Sequence, residues 1–193
     1  PRTLAGAENA NETHYQKQSM SDFQQEVDCY SVLVDWCWDN GYQPVFIPMN
    51  THGDDDDRLA AKRCMKIARN GDKALIVDEE VRPKDAPTLY GQCEAAFVAR
   101  VHGAISAFLG GCPVMMYSFQ PKHRGIMETM GLESYSLQPE EASPDRSIAL
   151  MKAMLGSRSD ILMNMQVKGR ELRESAKIPA QLAKRILEGK HGV

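Results

Sequence analysis

One short turn in the chain combines an arginine, a histidine and a glycine. An apolar run that begins at Phe97 ends at Arg100, His102 and Gly103 follow, and the apolar pattern of a helix then begins. A helix start presents unpaired backbone N–H groups and a partial positive charge, so it favours phosphate or carboxylate. Arg100 can add a bidentate fork, Gly103 lets a ligand or a neighbouring backbone come close, and His102 beside a bound anion can act as a general acid. The structural alternative is that Arg100 pairs with an acid and His102 caps the helix.

A second cationic turn follows the next apolar run. The run 113–117 is followed by Ser118, a candidate substrate-binding residue, and Lys122 stands at the start of another helical pattern, directly after Pro121. In a parallel sheet this turn would lie beside the first one. Two cationic helix starts each oppose their own helix dipole, which indicates a shared anion site. Taken alone, Lys122 could equally be an exposed surface residue.

The segment 52–57 contains four consecutive aspartates after His52 and Gly53. Consecutive acids point in different directions, so few of them could share one metal ion. Acids at a helix start also satisfy the orphan N–H groups and the dipole. We therefore predict a capped helix here and no metal site, with contact to a substrate as the alternative.

Composition narrows the class of protein. The chain has 193 residues and a net charge of −3, with 42% hydrophobic and 25% charged residues, which is typical of one globular domain. It contains no basic block that would suit a nucleic acid and no apolar run near the roughly 20 residues of a transmembrane helix. It begins with Pro1, without a signal-peptide pattern, so we expect a fragment of a longer protein.

The cysteines are odd in number and lack the spacing of a zinc knuckle. We expect buried, reduced thiols, which favour a reducing compartment such as the cytoplasm. The five are Cys29, Cys37, Cys64, Cys93 and Cys112.

Apolar runs alternate with helical patterns along most of the chain. The runs are continuous, which is typical of parallel strands buried on both faces. They cover 43–48, 74–77, 95–99 and 113–117, and helical patterns begin near 21, 54, 85, 102, 122, 142 and 158. We predict a doubly wound, Rossmann-like α/β fold with four or five strands, whose ligands bind at the carboxyl ends of the strands. The predicted organisation is a polar arm over 1–18, the α/β domain over 19–157 and a C-terminal helix over 158–193.

Several motifs together resemble the polysaccharide pyruvyl transferase family. They are the segment 97–114 with its Arg-Val-His-Gly turn, the turn 117–122, the segment Met127-Glu-Thr-Met-Gly-Leu132, and the run 45–49 followed by aspartates. The resemblance covers roughly residues 20–137. Val101 stands where the family usually has leucine, and Phe119-Gln120 stand where it usually has Tyr-Asp.

The resemblance implies a function and a site. The family has a two-domain fold like that of the B-type glycosyltransferases, and this chain would be mainly its C-terminal domain. The implied activity transfers pyruvate from phosphoenolpyruvate to two hydroxyls of a sugar, and it requires no cofactor. By resemblance His102 is the acid/base residue, Arg100 is the arginine at the strand end and Lys122 binds the donor. Arg2 is matched to another arginine of the family.

The implied partners are phosphoenolpyruvate and a sugar acceptor, free or lipid-linked, and no nucleic acid. The basic residues between Lys168 and Arg185 allow peripheral contact with anionic lipid, at the inner face of the membrane. Two other functions remain open at this point. One is a glycosyltransferase that uses a nucleotide sugar, and the other is a non-catalytic domain that binds a glycan or a partner.

Overall fold

The structure is a computed structural model that describes residues 20–53 and 56–188. Within these residues, short parallel strands alternate with helices. The strands are β1 (Val45–Phe46), β2 (Leu75–Ile76), β3 (Ala96–Val98), β4 (Val114–Tyr117) and β5 (Ser136–Leu137). The helices are α1 (Met20–Asp39), α2 (Asp57–Ile67), α3 (Ala86–Tyr90), α4 (Val101–Gly110), α5 (Pro121–Met130), α6 (Pro144–Gly156), α7 (Arg158–Ser175) and α8 (Ile178–Leu187). The predicted α/β class with parallel strands is confirmed. The predicted arm over 1–18 lies outside the described residues.

The strands form two separate parallel groups. One group has the order β1-β2, and the other has the order β3-β4-β5. Val45 lies opposite Leu75 in the first group, and Val98 lies opposite Met116 in the second. The sequence did not predict β5, because Leu137 stands between Ser136 and Gln138 and no continuous apolar run surrounds it.

The helices form two packed sets. Helix α1 packs against α2 and α6, whereas α4 packs against α3 and α5. This division is consistent with a Rossmann-like arrangement, in which helices cover both faces of a parallel sheet. Helices α4 and α5 each end at a left-handed glycine, Gly111 (φ 73°) and Gly131 (φ 68°), because only glycine adopts that conformation without strain.

Strand β4 lies at the centre of the main hydrophobic core. All four of its residues are buried, and the core extends through α4, α5, α6 and α7. Two smaller clusters lie around β1 and β2. One contains Phe23, Val27 and Cys64, and the other contains Val34, Ala68 and Ala74. The two strand groups are therefore packed very unequally.

The cysteines occur as free thiols, as predicted. Cys29, Cys64 and Cys112 are buried, and the other two are half-buried. Burial raises the pKa of the thiols of Cys64 and Cys112 to about 12 and that of Cys37 to about 11.

The single C-terminal helix predicted from residue 158 is two helices within the described residues. Pro179, in the first turn of α8, has no N–H to continue the hydrogen bonds of α7, so the chain turns at residues 176–177. Helix α7 packs against α5 and α6, whereas every residue of α8 is exposed. None of the described helices is both long and apolar enough to cross a membrane.

Candidate functional site

The two cationic turns leave the sheet at the same edge. Strands β3 and β4 are parallel neighbours, so the residues that follow Val98 and Tyr117 emerge side by side. Arg100 and Gln120 are the N-cap residues of α4 and α5, and both have an extended backbone. Neither side chain caps its own helix. The first-turn N–H groups of α4 are therefore not capped by Arg100, whereas in α5 Pro121 has no N–H and the N–H of His123 donates to the carbonyl of Gln120 at 2.9 Å.

His102 and Lys122 are exposed side chains in the first turns of these helices. The side chain of His102 makes no hydrogen bond to any residue in the described part of the chain. It therefore does not cap α4 with its side chain, which was the structural alternative. An exposed imidazole at a helix start is accessible to a substrate and lies where bound anions are favoured.

Arg100 forms an ion pair with Asp57, the first residue of α2. Its Nε lies 2.9 Å and 3.0 Å from the two carboxylate oxygens, and its Nη2 lies 2.8 Å from Oδ1. Both side chains are about three-quarters buried, with 25% and 24% exposed. The acid partner considered as the alternative for Arg100 is thus present, and the guanidinium charge is partly neutralised before any ligand binds.

Asp57 also fixes the segment that follows β1. Its Oδ2 accepts hydrogen bonds from the backbone N–H groups of Met49 (2.9 Å) and Asn50 (3.0 Å). One carboxylate therefore links the end of β1, the start of α2 and the end of β3. Sequence reasoning did not single out Asp57, because nothing distinguishes it from the three preceding aspartates.

The predicted helix cap in the aspartate segment is confirmed at Asp56. Its side chain accepts a hydrogen bond from the backbone N–H of Arg58 (2.9 Å). The Arg58 guanidinium also donates hydrogen bonds to this carboxylate, at 2.6–3.0 Å. That guanidinium lowers the pKa of Asp56. Arg58 also donates to the carbonyl of Thr51 at 3.1 Å. Asp54 and Asp55 lie outside the described residues, and the described ones include no group of three metal-ligating side chains.

Gly103 provides close packing between elements. A Cβ at this position would lie 3.2 Å from the hydroxyl of Tyr90 and 3.4 Å from Cγ1 of Val98. The space beside Gly103 is therefore occupied by α3 and β3. Burial raises the pKa of the Tyr90 phenol, so this hydroxyl stays neutral.

Ser118 is buried, in contrast to Lys122. Its backbone N–H donates to the carbonyl of Leu137 at 2.8 Å, and its Oγ finds no hydrogen-bond partner among the described residues. His123 is also buried and packs edge-on against Phe119, with 4.5 Å between ring centroids. Within α5, the side chain of Lys122 thus faces solvent, whereas that of its neighbour His123 faces the core. Arg2 lies outside the described residues.

A cavity of about 450 Å³ lies between the two strand groups. Asp57, Arg100 and Gly103 line it, whereas His102, Ser118 and Lys122 do not. His102 and Lys122 therefore form no part of the cavity walls, although Arg100 and Gly103 of the same turn do.

The comparison with family models decides the family. The model of the polysaccharide pyruvyl transferases matches residues 8–121, which is more than half of the chain. The chain belongs to the polysaccharide pyruvyl transferase family. The matched region includes the whole turn 100–103 and Ser118, and it ends one residue before Lys122.

A curated relative supports this assignment. The chain is 24% identical over 142 residues to the amylovoran biosynthesis protein AmsJ of Erwinia amylovora. The match covers 72% of this chain and 34% of AmsJ, so the chain spans about a third of the length of this relative. No solved structure matches the chain significantly.

Proposed function

We propose that this chain is the donor-binding part of a ketal-pyruvyl transferase. The enzyme moves pyruvate from phosphoenolpyruvate to two hydroxyls of a sugar in a cell-surface polysaccharide or its precursor. The observation that carries the proposal is the placement of His102 and Lys122, two exposed groups at the starts of adjacent helices, in a chain that belongs to this family.

The electrostatics of this edge suit a small polyanion. The first turns of α4 and α5 contribute two helix dipoles, α4 offers backbone N–H groups, and Lys122 adds a positive charge. The charge of Arg100 is shared with Asp57. In the proposed site, Lys122 and the helix starts therefore bind the donor phosphate and carboxylate. The Arg100–Asp57 pair mainly holds the turn in place.

The proposed chemistry uses His102 as the general acid. Protonated His102 gives its proton to the methylene carbon of phosphoenolpyruvate, which becomes the methyl group. The adjacent carbon becomes cationic, and one sugar hydroxyl attacks it. The bond from that carbon to the phosphate oxygen then breaks, and a second hydroxyl closes the cyclic ketal. One hydroxyl proton leaves on the phosphate, and the other returns to the neutral imidazole of His102, which is thereby protonated again. The reaction therefore needs no oxidant and no cofactor.

A positioned general acid of this kind contributes roughly 100- to 10,000-fold to the rate.

The proposal includes a two-domain fold like that of the B-type glycosyltransferases, of which this chain forms one half. It also includes a cytoplasmic location with access to a lipid-linked acceptor. The match to about a third of AmsJ supports a larger enzyme, and the acceptor surface would then belong mainly to the remainder.

The decisive experiment uses the complete polypeptide that carries this chain. Donor binding is measured by calorimetry with phosphoenolpyruvate and with uridine diphosphate, and turnover is measured as phosphate release with an acceptor extract. We expect phosphoenolpyruvate alone to bind. Turnover in D2O should place one deuteron in the methyl group of the product, detected by mass spectrometry.

Three variants separate the roles. His102→Ala should bind the donor normally and lose at least about 100-fold in turnover, as expected for a general acid. Lys122→Ala should weaken donor binding. Arg124→Ala, a matched control in the same helix, removes a cation whose side chain pairs with Glu128 and should change neither.

Normal phosphate release by His102→Ala would refute the acid assignment. Binding of uridine diphosphate in place of phosphoenolpyruvate would indicate a nucleotide-sugar glycosyltransferase. Binding of neither ligand would indicate a non-catalytic domain.

A further inference from the structure

Helix α8 is the one described helix whose residues are all exposed. It nonetheless carries four large apolar side chains that are 55–87% exposed, namely Ile178, Leu182, Ile186 and Leu187. A contiguous apolar surface in water is unfavourable, and such surfaces mark sites of contact with a protein or a membrane.

The apolar residues of α8 form one continuous face. At 3.6 residues per turn, the seven apolar residues of Ile178–Leu187 project within an arc of about 200°. The other three residues fall in an arc of about 100° on the opposite side, and they are Gln181, Lys184 and Arg185. Helix α8 is therefore amphipathic, and its apolar face is wider than its polar face.

Basic side chains stand at both borders of this apolar face. Arg185 projects beside Ile178 at one border, and Lys184 projects beside Ala180 at the other. Lys177, which precedes the helix, adds a third cation on the polar side. Long basic side chains at such borders allow the apolar face to be buried while their charges reach an anionic surface. This arrangement is typical of a helix that lies in the interface of a bilayer.

Acidic neighbours do not cancel the positive charge of this region. Lys177 lies 2.6 Å from Glu174, and Lys184 lies 3.8 Å from Glu188. Each of these four side chains is at least 39% exposed, so both ion pairs are weak. Residues 158–188 contain seven lysines and arginines and four acids, although the whole chain has a net charge of −3. The C-terminal helices are thus the basic part of an otherwise acidic chain.

These features disfavour a second copy of this chain as the partner of α8. Two contacting α8 helices would bring Lys184 and Arg185 of one copy close to basic residues of the other, and like charges repel. The helix is also only about 15 Å long, whereas a stable protein interface buries roughly 1,200 Å² or more. A surface of anionic lipid accepts the apolar face and attracts the cations at its borders.

We propose that α8 is an interfacial helix that docks this protein on a membrane surface containing anionic phospholipid. The helix lies in the plane of the interface, with Leu182 and Ile186 at the acyl boundary and with Lys184 and Arg185 at the lipid phosphates. Helix α7 leads into α8 and packs against α5, so docking holds the helix that carries Lys122 at the membrane.

The docking does not depend on the proposed pyruvyl transfer. Where the two meet, in the access of the candidate site to a lipid-linked acceptor, the inference rests on the proposed function. The α8 variants described below should leave calorimetric binding of phosphoenolpyruvate unchanged. A failure of the docking and a failure of the proposed function can therefore be told apart.

Co-sedimentation with vesicles tests the docking, with the complete polypeptide that carries this chain. One set of vesicles is phosphatidylcholine alone, and in the other about one third of the lipid is phosphatidylglycerol. We expect binding to the vesicles with phosphatidylglycerol. Binding should be weaker to phosphatidylcholine alone and at high salt, because salt screens the attraction between the basic residues and the lipid.

Two double variants separate the apolar and the electrostatic contributions. Leu182→Gln with Ile186→Gln should lower the partition coefficient at least about tenfold, because the apolar face no longer enters the bilayer. Lys184→Gln with Arg185→Gln should lower it roughly ten- to thirtyfold on anionic vesicles, and much less on phosphatidylcholine alone.

Matched controls come from other helices. Lys62→Gln with Lys66→Gln removes the same charge from exposed positions of α2, and Leu109→Gln removes an apolar side chain of α4 that is 67% exposed. Both should bind vesicles as the unchanged protein does. All the substituted residues are exposed, so the melting temperatures should stay the same.

A polarity-sensitive dye reports insertion separately from attraction. It is attached to Ala183→Cys, on the apolar face, or to Gln181→Cys, on the polar face. The emission of the dye at residue 183 should shift to the blue on anionic vesicles, and that of the dye at residue 181 should not.

Three results would overturn the proposal. The first is that the protein sediments with neither kind of vesicle, and the second is undiminished binding by Leu182→Gln with Ile186→Gln. The third is a dye at residue 183 that is already shielded without vesicles. Shielding of that kind would show that another part of the polypeptide, or a second copy, covers α8.

Discussion

The two strand groups of this protein differ in how much core they bury. Strand β4 is buried along its whole length and is surrounded by helices from the second half of the chain. In β1 and β2, Val45 is 41% exposed and Leu75 is 56% exposed, and only small clusters pack beside them. The difference teaches that the β3–β5 group has a substantial core of its own, whereas the β1–β2 group has only small clusters of buried side chains.

The largest expected effect tests this contrast in the strands themselves. Met116→Ala removes a fully buried side chain at the centre of β4 and should lower the free energy of unfolding by about 2–5 kcal/mol. Leu75→Ala, in β2, should cost only about 0.5 kcal/mol, since its side chain is largely exposed. Urea unfolding measures both. Similar losses would refute the unequal packing.

A smaller effect is expected where the two groups are linked. Asp57→Asn removes the charge that holds Arg100 and weakens an acceptor of two backbone N–H groups. We expect a loss of about 1–3 kcal/mol in the free energy of unfolding, because a partly buried arginine loses its ion pair with Asp57. Asp85→Asn is the matched control. It breaks an exposed pair with Arg82 and should cost under about 0.5 kcal/mol. Equal losses would mean that the link is only a surface contact.

Two buried cysteines report on local opening of each group. Cys64 lies in the small cluster beside β1, and Cys112 lies in the main core. Burial raises the pKa of both thiols to about 12, so their intrinsic reactivities should be similar. We expect a thiol reagent to label Cys64 about tenfold faster, because its surroundings open at lower free energy. Peptide mass spectrometry measures the rates, and faster labelling of Cys112 would reverse the comparison.

The smallest expected effect is the alkaline dependence of stability. A thiol with a raised pKa in the folded state stabilises the fold fully below its unfolded-state pKa of about 8.5, and this contribution is lost as the pH rises toward the folded-state pKa. For Cys64, with a pKa of about 12, the loss between pH 8 and pH 9 should be roughly 1 kcal/mol or less. Cys64→Ala should remove that part of the slope in urea unfolding curves. An unchanged slope would mean that the Cys64 thiol does not titrate on unfolding.

Much of the fold could be predicted from local signals in the sequence. Continuous apolar runs predicted β1 to β4, and the helical patterns between them predicted the helices that follow these strands. The break between α7 and α8 was missed although Pro179 marks it, because the apolar and charged pattern continues across the proline. Strand β5 was missed because Ser136–Leu137 lies among polar residues, whereas the equally short β1 and β2 lie within longer apolar runs.

Less of the candidate site could be predicted. The position of the two cationic turns at one edge follows from consecutive parallel strands, and the structure confirms that these strands are neighbours. The ion pair of Arg100 with Asp57 joins residues 43 positions apart. Nothing in the local pattern selects Asp57 among four aspartates.

The sequence by itself determined the alternation of strands and helices, the capped start of α2, and which residue types stand at each strand end. These depend on short-range periodicity and backbone preferences, which a linear pattern records. Only the tertiary structure decided that Arg100 is held by Asp57 and that His102 is exposed while His123 is buried. It also decided that β1 and β3 stand apart across a cavity. These features depend on which distant segments meet when the sheet assembles, and that is settled by packing between elements rather than within them.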